Sequence, residues 1–147
     1  MKKIVRMAGV LMAFALASCT QQPQSLSIIP VPMKAELQRG AFVVNEQTQV
    51  WIDAPEADKN ILQEYLAASP LKLSVATETP ASNAIVLKQV AELPGVESAE
   101  GYVLTATKKG VEVQAKSGAG LFYGVQTLLQ MATDGNQIAL GTITDEP

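Results

Sequence analysis

The chain contains no histidine and a single cysteine, Cys19. A Ser-His-Asp or Cys-His site, a histidine metal cluster and a histidine general base are therefore excluded, and one thiol cannot assemble a cysteine zinc site or an internal disulfide. Charge is sparse, at 17% of residues against 48% hydrophobic. Material for a core is thus ample, and the 147 residues suit one domain. A disordered polar spacer is expected only in "TQQPQS", Thr20 to Ser25, which lacks apolar residues. Aromatics make up 5% of the chain. Beyond the first eighteen residues they are Phe42, Trp51, Tyr65, Tyr102, Phe122 and Tyr123. Most fall where the strand or helix pattern assigns packing, and Trp51 and Tyr123 are the two to test for ligand contact. No repeat with a period of about 20 to 50 residues is present, so a solenoid or propeller is not expected.

What is present begins with "MKKIVRMAGVLMAFALASC". Its basic start, its apolar stretch from Met7 to Ala17 and its small residues before Cys19 have the layout of a secretory signal peptide. "LASC", Leu16 to Cys19, resembles the lipobox of bacterial lipoproteins. That resemblance implies removal of residues 1–18, lipid attachment at Cys19, and export to the bacterial cell envelope, anchored on its periplasmic or outer-surface side. Residues 19–26 then form a tether, with a membrane as partner through the anchor. Loss of residues 1–18 removes Lys2, Lys3 and Arg6 from the eleven basic residues and none of the fourteen acidic ones, leaving 8 against 14, a net charge of −6. By net charge alone, nucleic acid and anionic lipid surfaces are poor partners.

From Leu26 onward short apolar runs alternate with turn residues. "LSIIPVPM" reads as an extended lead-in, because Pro30 and Pro32 disfavour helix before them. "AFVVN" and "QVWID" read as strands. "DAPEADKNILQEYLAASP" reads as a helix with Asp53 and Glu56 in capping-box positions, Pro55 in the first turn and Pro70 past the end. Its apolar face is Ile61, Leu62, Tyr65 and Leu66. "LKLSV" and "AIVLK" are further strands. "GYVLTAT" and "GVEVQAK" predict a hairpin that aligns Tyr102, Leu104 and Ala106 with Val111, Val113 and Ala115. "SGAGLFYGVQTLLQM" follows as a helix with Leu121, Val125, Leu128, Leu129 and Ala132 on one side, and "QIALGTIT" closes as a strand. The expected fold class is α+β: a mainly antiparallel β-sheet with two helices packed on one face.

Two constellations invite a chemical reading. Gly118, Gly120 and Gly124 follow a strand, but a dinucleotide fingerprint needs a third glycine where this chain has Tyr123, and a parallel βαβ setting besides. The better reading is steric. Gly120 and Gly124 are one turn apart, so their missing side chains let a helix lie close on a sheet. Asp145 and Glu146 form a carboxylate pair near the end, yet neighbours in an extended segment point to opposite sides, which suits a solvated linker better than catalysis. No catalytic, cofactor-binding or metal-binding residue is assigned, and no cofactor is expected.

The segments "IIPVPMKAELQRGAFVV" (Ile28 to Val44), "GYVLTATKKGVEVQAKSGAGLFYGVQTLLQM" (Gly101 to Met131) and "ITDEP" (Ile143 to Pro147) together resemble the N-terminal domain of family-20 glycoside hydrolases, the β-N-acetylhexosaminidases. The related O-GlcNAc hydrolases and the α-glucuronidases carry a similar leading domain. The resemblance implies a hexosaminidase-type N-terminal α+β domain over residues 27–144, with residues 145–147 starting a linker to a catalytic (β/α)8 barrel. In that family the barrel hydrolyses terminal N-acetylhexosamine from glycans, with the substrate's acetamido group as nucleophile and an Asp-Glu pair assisting. The pair follows a His-x-Gly-Gly pattern that Asp145 and Glu146 lack, so the roles are not carried over. The implied function is non-catalytic support of the barrel, with no hydrolase activity in this chain alone and no glycan contact expected of the domain itself. The chain would then be a fragment that stops where the barrel begins. The alternatives are a free-standing lipid-anchored module that binds glycan or protein, the N-terminal domain of a related O-GlcNAc hydrolase, and an orphaned domain that is unstable and non-functional.

Overall fold

The computed structural model describes residues 27–132 and 135–147. The signal peptide, Cys19 and the whole of the tether lie outside the described residues. In chain order the elements are β1 (Lys34–Val43), β2 (Gln49–Asp53), α1 (Glu56–Ala68), β3 (Ser74–Val75), β4 (Ala84–Gln89), β5 (Tyr102–Thr107), β6 (Gly110–Ala115), α2 (Gly118–Met131) and β7 (Gln137–Asp145). They build one seven-stranded sheet in the order β1-β7-β5-β6-β4-β2-β3. Leu62 and Leu66 of α1 join Leu121, Val125 and Leu128 of α2 in a single core with Ile85, Leu104 and Val113 of the sheet. The α+β class and the two helices on one face are as the residue pattern predicts.

The sheet is mixed. β1 with β7, β7 with β5 and β5 with β6 pair antiparallel, whereas β6 with β4, β4 with β2 and β2 with β3 pair parallel. The predicted hairpin forms in its predicted register, with Tyr102 opposite Ala115, Leu104 opposite Val113 and Ala106 opposite Val111. The parallel half was not expected. It arises because α1 and α2 each carry the chain back to the end it started from, which makes the next strand parallel to the last. After α1 that strand is β3 beside β2, and after α2 it is β7, separated from β6 by β5. All strands therefore share two ends. One holds the β5–β6 turn, the starts of β2, β4 and β7 and the C-terminus of α2; the other holds the helix N-termini and the last residues of β7.

Other local readings change. Asp53 is paired with Lys88 as the last residue of β2, so it cannot cap α1. Pro55 occupies the cap without a side-chain hydrogen bond, and Glu56 and Asp58 supply negative charge to the first turn instead. Ile61 is 59% exposed, leaving Leu62 and Leu66 as the buried pair of α1. β1 begins seven residues earlier than "AFVVN" suggests, at Lys34, and slips register between Leu37 and Ala41. Opposite the slip, Gly141 has φ +133°, and a Cβ there would stand 2.2 Å from the Glu36 carbonyl oxygen. Glycine is required at this crossing.

The two ends of the folded chain are tied to it. Ile28 is buried in the core, and the Ile29 N–H donates to Gln130 Oε1 at 2.8 Å. The Met33 N–H donates to Asp145 Oδ1 at 2.9 Å, and Glu146 accepts from the Glu97 N–H. Asp145 and Glu146 thus hold backbone donors of two separate segments, which replaces the expectation of a solvated pair. Asp145→Ala leaves the Met33 donor unpaired beside a buried site, and a charge-assisted bond of this kind contributes roughly 1.5–3 kcal/mol. A loss in that range is expected in urea unfolding, against a smaller one for Glu146→Ala.

Candidate docking face on the second helix

Helix α2 starts at Ser117, whose extended backbone and side-chain oxygen cap it: Ser117 Oγ accepts from the Gly120 N–H at 3.3 Å and donates to the Ala99 carbonyl at 2.6 Å. Its inner side is Gly120, Leu121, Gly124, Val125, Thr127 and Leu128, all buried. The glycines set the separation. A Cβ on Gly120 would lie 2.5 Å from the Gly101 carbonyl oxygen and 2.8 Å from Ala115 Cβ, and one on Gly124 would lie 2.3 Å from Val113 Cγ1. The steric reading of these two positions holds. At that distance Tyr102, on the strand below, reaches the helix: its hydroxyl and Thr127 Oγ1 are 2.5 Å apart.

That bond satisfies two buried polar groups, which would otherwise be costly in an apolar layer. Burial pushes the Tyr102 phenol above its usual pKa; the Thr127 bond partly offsets this, and the nearby Asp145 charge adds to it. The pairing was missed from sequence, although a threonine in the middle of an otherwise apolar helix was a visible signal that a buried partner exists.

The third glycine has another role. A Cβ on Gly118 would fall 2.3 Å from the Asp58 carboxylate, so the N-termini of α1 and α2 lie side by side with Asp58 against both. Further along, Tyr65 of α1 meets Phe122 of α2 with ring centroids 4.7 Å apart. The helices therefore run in the same direction. The carboxylate already occupies the electropositive end where a phosphate would bind, a physical reason against nucleotide binding.

The outer side of α2 is unusual. From Gly118 to Met131 there is no charged residue, and the residues turned from the sheet include Ala119, Phe122, Tyr123, Gln126 and Leu129. A surface helix ordinarily carries charge on its far side, as α1 does with Glu56, Lys59 and Glu64. A cleft of about 360 Å³ runs between the helices, lined by Asp58, Ile61, Leu62, Gly118, Ala119, Phe122 and Tyr123. Tyr123, one of the two aromatics singled out for ligand contact, lies here, edge-on to Phe122 with centroids 6.3 Å apart. Trp51, the other, is half-buried in β2 beside Val86 of β4, so the two are not brought together. Cys19 lies outside the described residues. Among the described residues no group of three or more His, Cys, Asp or Glu side chains could hold a metal ion. The arrangement has the composition of a packing surface and lacks a convergent acid-base pair.

Known proteins similar to this chain point to one enzyme family. Residues 25–146 match the sequence model of glycosyl hydrolase family 20, domain 2. A beta-hexosaminidase of Porphyromonas gingivalis is 32% identical over 144 residues, covering 89% of this chain and 18% of its own length. Among solved structures, the family-20 beta-N-acetylhexosaminidase from Streptomyces coelicolor A3(2) superposes with a TM-score of 0.66 at 27% identity, over 86% of this chain and 28% of that one. The N-acetyl-beta-hexosaminidase of Streptomyces plicatus gives 0.68 at 27% identity, over 86% and 27%. The chain thus spans less than a third of the length of each of these relatives.

Gly124→Ala forces α2 off Val113 and is expected to lower stability by about 1–3 kcal/mol, as overpacking does, measured by thermal or urea unfolding. The Tyr102 phenol, with a folded pKa above the unfolded value of about 10, binds its proton more tightly in the folded state. Stability is unaffected by this group below about pH 10 and falls as pH rises through and beyond it. Tyr102→Phe removes this part of the alkaline loss, seen as a shallower slope of unfolding free energy between about pH 9 and pH 11.

Proposed function

The chain belongs to glycosyl hydrolase family 20, domain 2, and on that premise we propose that it serves a β-N-acetylhexosaminidase as a non-catalytic N-terminal domain that packs against the catalytic barrel. The observation that carries the proposal is the uncharged α2, with Phe122, Tyr123 and Leu129 on the side turned from the sheet. Full burial of an exposed large apolar side chain returns about 1.5–3 kcal/mol, and a half-covered one roughly half of that, so this face gains from a partner and loses from water. The 360 Å³ cleft beside it can receive a protruding side chain of the barrel. The activity this domain supports is release of terminal N-acetylhexosamine from glycans. The hydrolytic groups belong to the barrel, because the acidic pair of this chain is engaged with backbone donors.

We further propose that residues 1–18 direct export and that Cys19 carries lipid, placing the enzyme on the cell envelope. The "LASC" sequence and the lone cysteine support this reading. Two or more acyl chains hold a protein on a bilayer far more firmly than one, since each buried methylene contributes about 0.8 kcal/mol.

Purified chain is expected to release chromophore from an aryl N-acetyl-β-glucosaminide at the rate of a blank. A rate above the blank overturns the non-catalytic assignment. Replacing Phe122 and Leu129 together by glutamate is expected to reduce binding of a hydrophobic dye to the folded purified chain, with a lower melting temperature from the lost Tyr65–Phe122 contact. An unchanged dye signal counts against the docking face.

A further inference from the structure

Resting on the proposed acylation of Cys19, we propose that the end of the sheet carrying the β5–β6 turn faces the bilayer and takes anionic phospholipid headgroups. Net charge argues the opposite, but the fold segregates the charges. Lys108 and Lys109 form the β5–β6 turn, Arg39 stands on the register slip of β1 beside it, and Lys72 lies in the approach to β3. In the turns of that end the described acids are Glu46 and Glu78, the latter in the connection from β3 to β4, against four cations. Asp53, Glu56, Asp58, Glu92, Glu97, Glu100, Asp145 and Glu146 gather at the other end, tempered by Lys34, Lys59, Lys88 and Lys116. The domain is therefore a charge dipole directed along its strands.

The cations are available. Arg39, Lys108 and Lys109 are exposed and form no side-chain hydrogen bond or ion pair among the described residues. Two clefts share Lys108. One, of about 560 Å³, places Asn45, Ser82, Asn83 and Lys109 around it. The other, of about 350 Å³, places Gln38, Arg39, Thr105 and Thr107 there. Ammonium and guanidinium groups among hydroxyl and carboxamide donors suit a phosphate diester. Val43, 52% exposed at the rim of the larger cleft, is an apolar contact for the acyl boundary.

The anchor leaves from the same end. Ile29 is hydrogen-bonded through both its N–H and its carbonyl to Gln130 in the last turn of α2, beside the β5–β6 turn end. Residues 19–26 reach roughly 25–30 Å at full extension. The tether thus confines the domain near the bilayer, where a weak headgroup attraction acts at high effective concentration. Within a Debye length of about 8 Å, anionic lipid attracts the basic end and repels the acidic one.

The test uses the acylated chain in vesicles of phosphatidylcholine with about a third phosphatidylglycerol as the anionic lipid. A single donor dye is placed on Gln47→Cys at the basic end or on Ala99→Cys at the acidic end, and energy transfer to an acceptor lipid reports each distance. The Gln47 site is expected to lie nearer the bilayer by about 20 Å, the length of a six-residue strand, and the difference should vanish in pure phosphatidylcholine or high salt. Arg39→Glu with Lys108→Glu and Lys109→Glu should lower the population in this orientation at least about tenfold, while Lys108→Arg with Lys109→Arg retains it. Equal distances for the two sites, or distances unmoved by charge reversal in a folded variant, overturn the orientation alone. A Cys19 without acyl mass in the mass spectrum overturns the anchor and the orientation together.

Discussion

Helix α2 reaches the sheet only because Gly120 and Gly124 place no side chain between its backbone and Gly101, Val113 and Ala115. Each glycine costs about 1 kcal/mol relative to alanine in a helix interior. The return is a helix close enough for Leu121, Val125 and Leu128 to become fully buried and for Tyr102 to bond Thr127 across the layer. Much else follows from that approach. The helix carries the chain from β6 back to β7, so the position of β7, and with it that of β1 at the sheet edge, depends on where α2 lies.

The same helix separates structural from interactive surface. Its inner side is consumed by the sheet, and its outer side lacks the charges that would make it content in water. α1, one layer position away, keeps a charged exterior and contributes only Leu62 and Leu66 to the core. The contrast between two helices of similar length on one sheet face is what directs attention to α2 as the face that meets a partner. Asp58 links the pair electrostatically, since one carboxylate lies against the positive ends of both.

The strand pattern was legible where pairing is local. The β5–β6 hairpin and its register could be read because two alternating runs flanked a short turn, and alternation admits one register that buries both apolar rows. The inward positions Leu121, Val125, Leu128 and Ala132 were legible from their 3.6-residue spacing, whereas Leu129, expected with them, is only half-buried on the side turned from the sheet. The parallel pairing of β6 with β4 was not, because the two are separated by an intervening strand and no local pattern records a neighbour brought in by a crossover. The failure at Asp53 is similar in kind. Its capping-box spacing was real, but pairing with Lys88 in the sheet took the residue out of reach of the helix. Asp145 and Glu146 looked solvated for want of any sign that Met33 and Glu97 would arrive with unpaired N–H groups.

By itself the sequence determined the class of fold, the close contact of a glycine-bearing helix, and the absence of histidine and cysteine chemistry, since each of these depends on residue type or short-range spacing. Tertiary structure alone decided the mixed sheet, the Tyr102–Thr127 bond, the use of the terminal carboxylates as backbone acceptors, and the separation of basic and acidic ends. Composition sums charges without regard to place. A crossover topology assigns every turn to one end or the other, and an acidic chain thereby acquires a basic end.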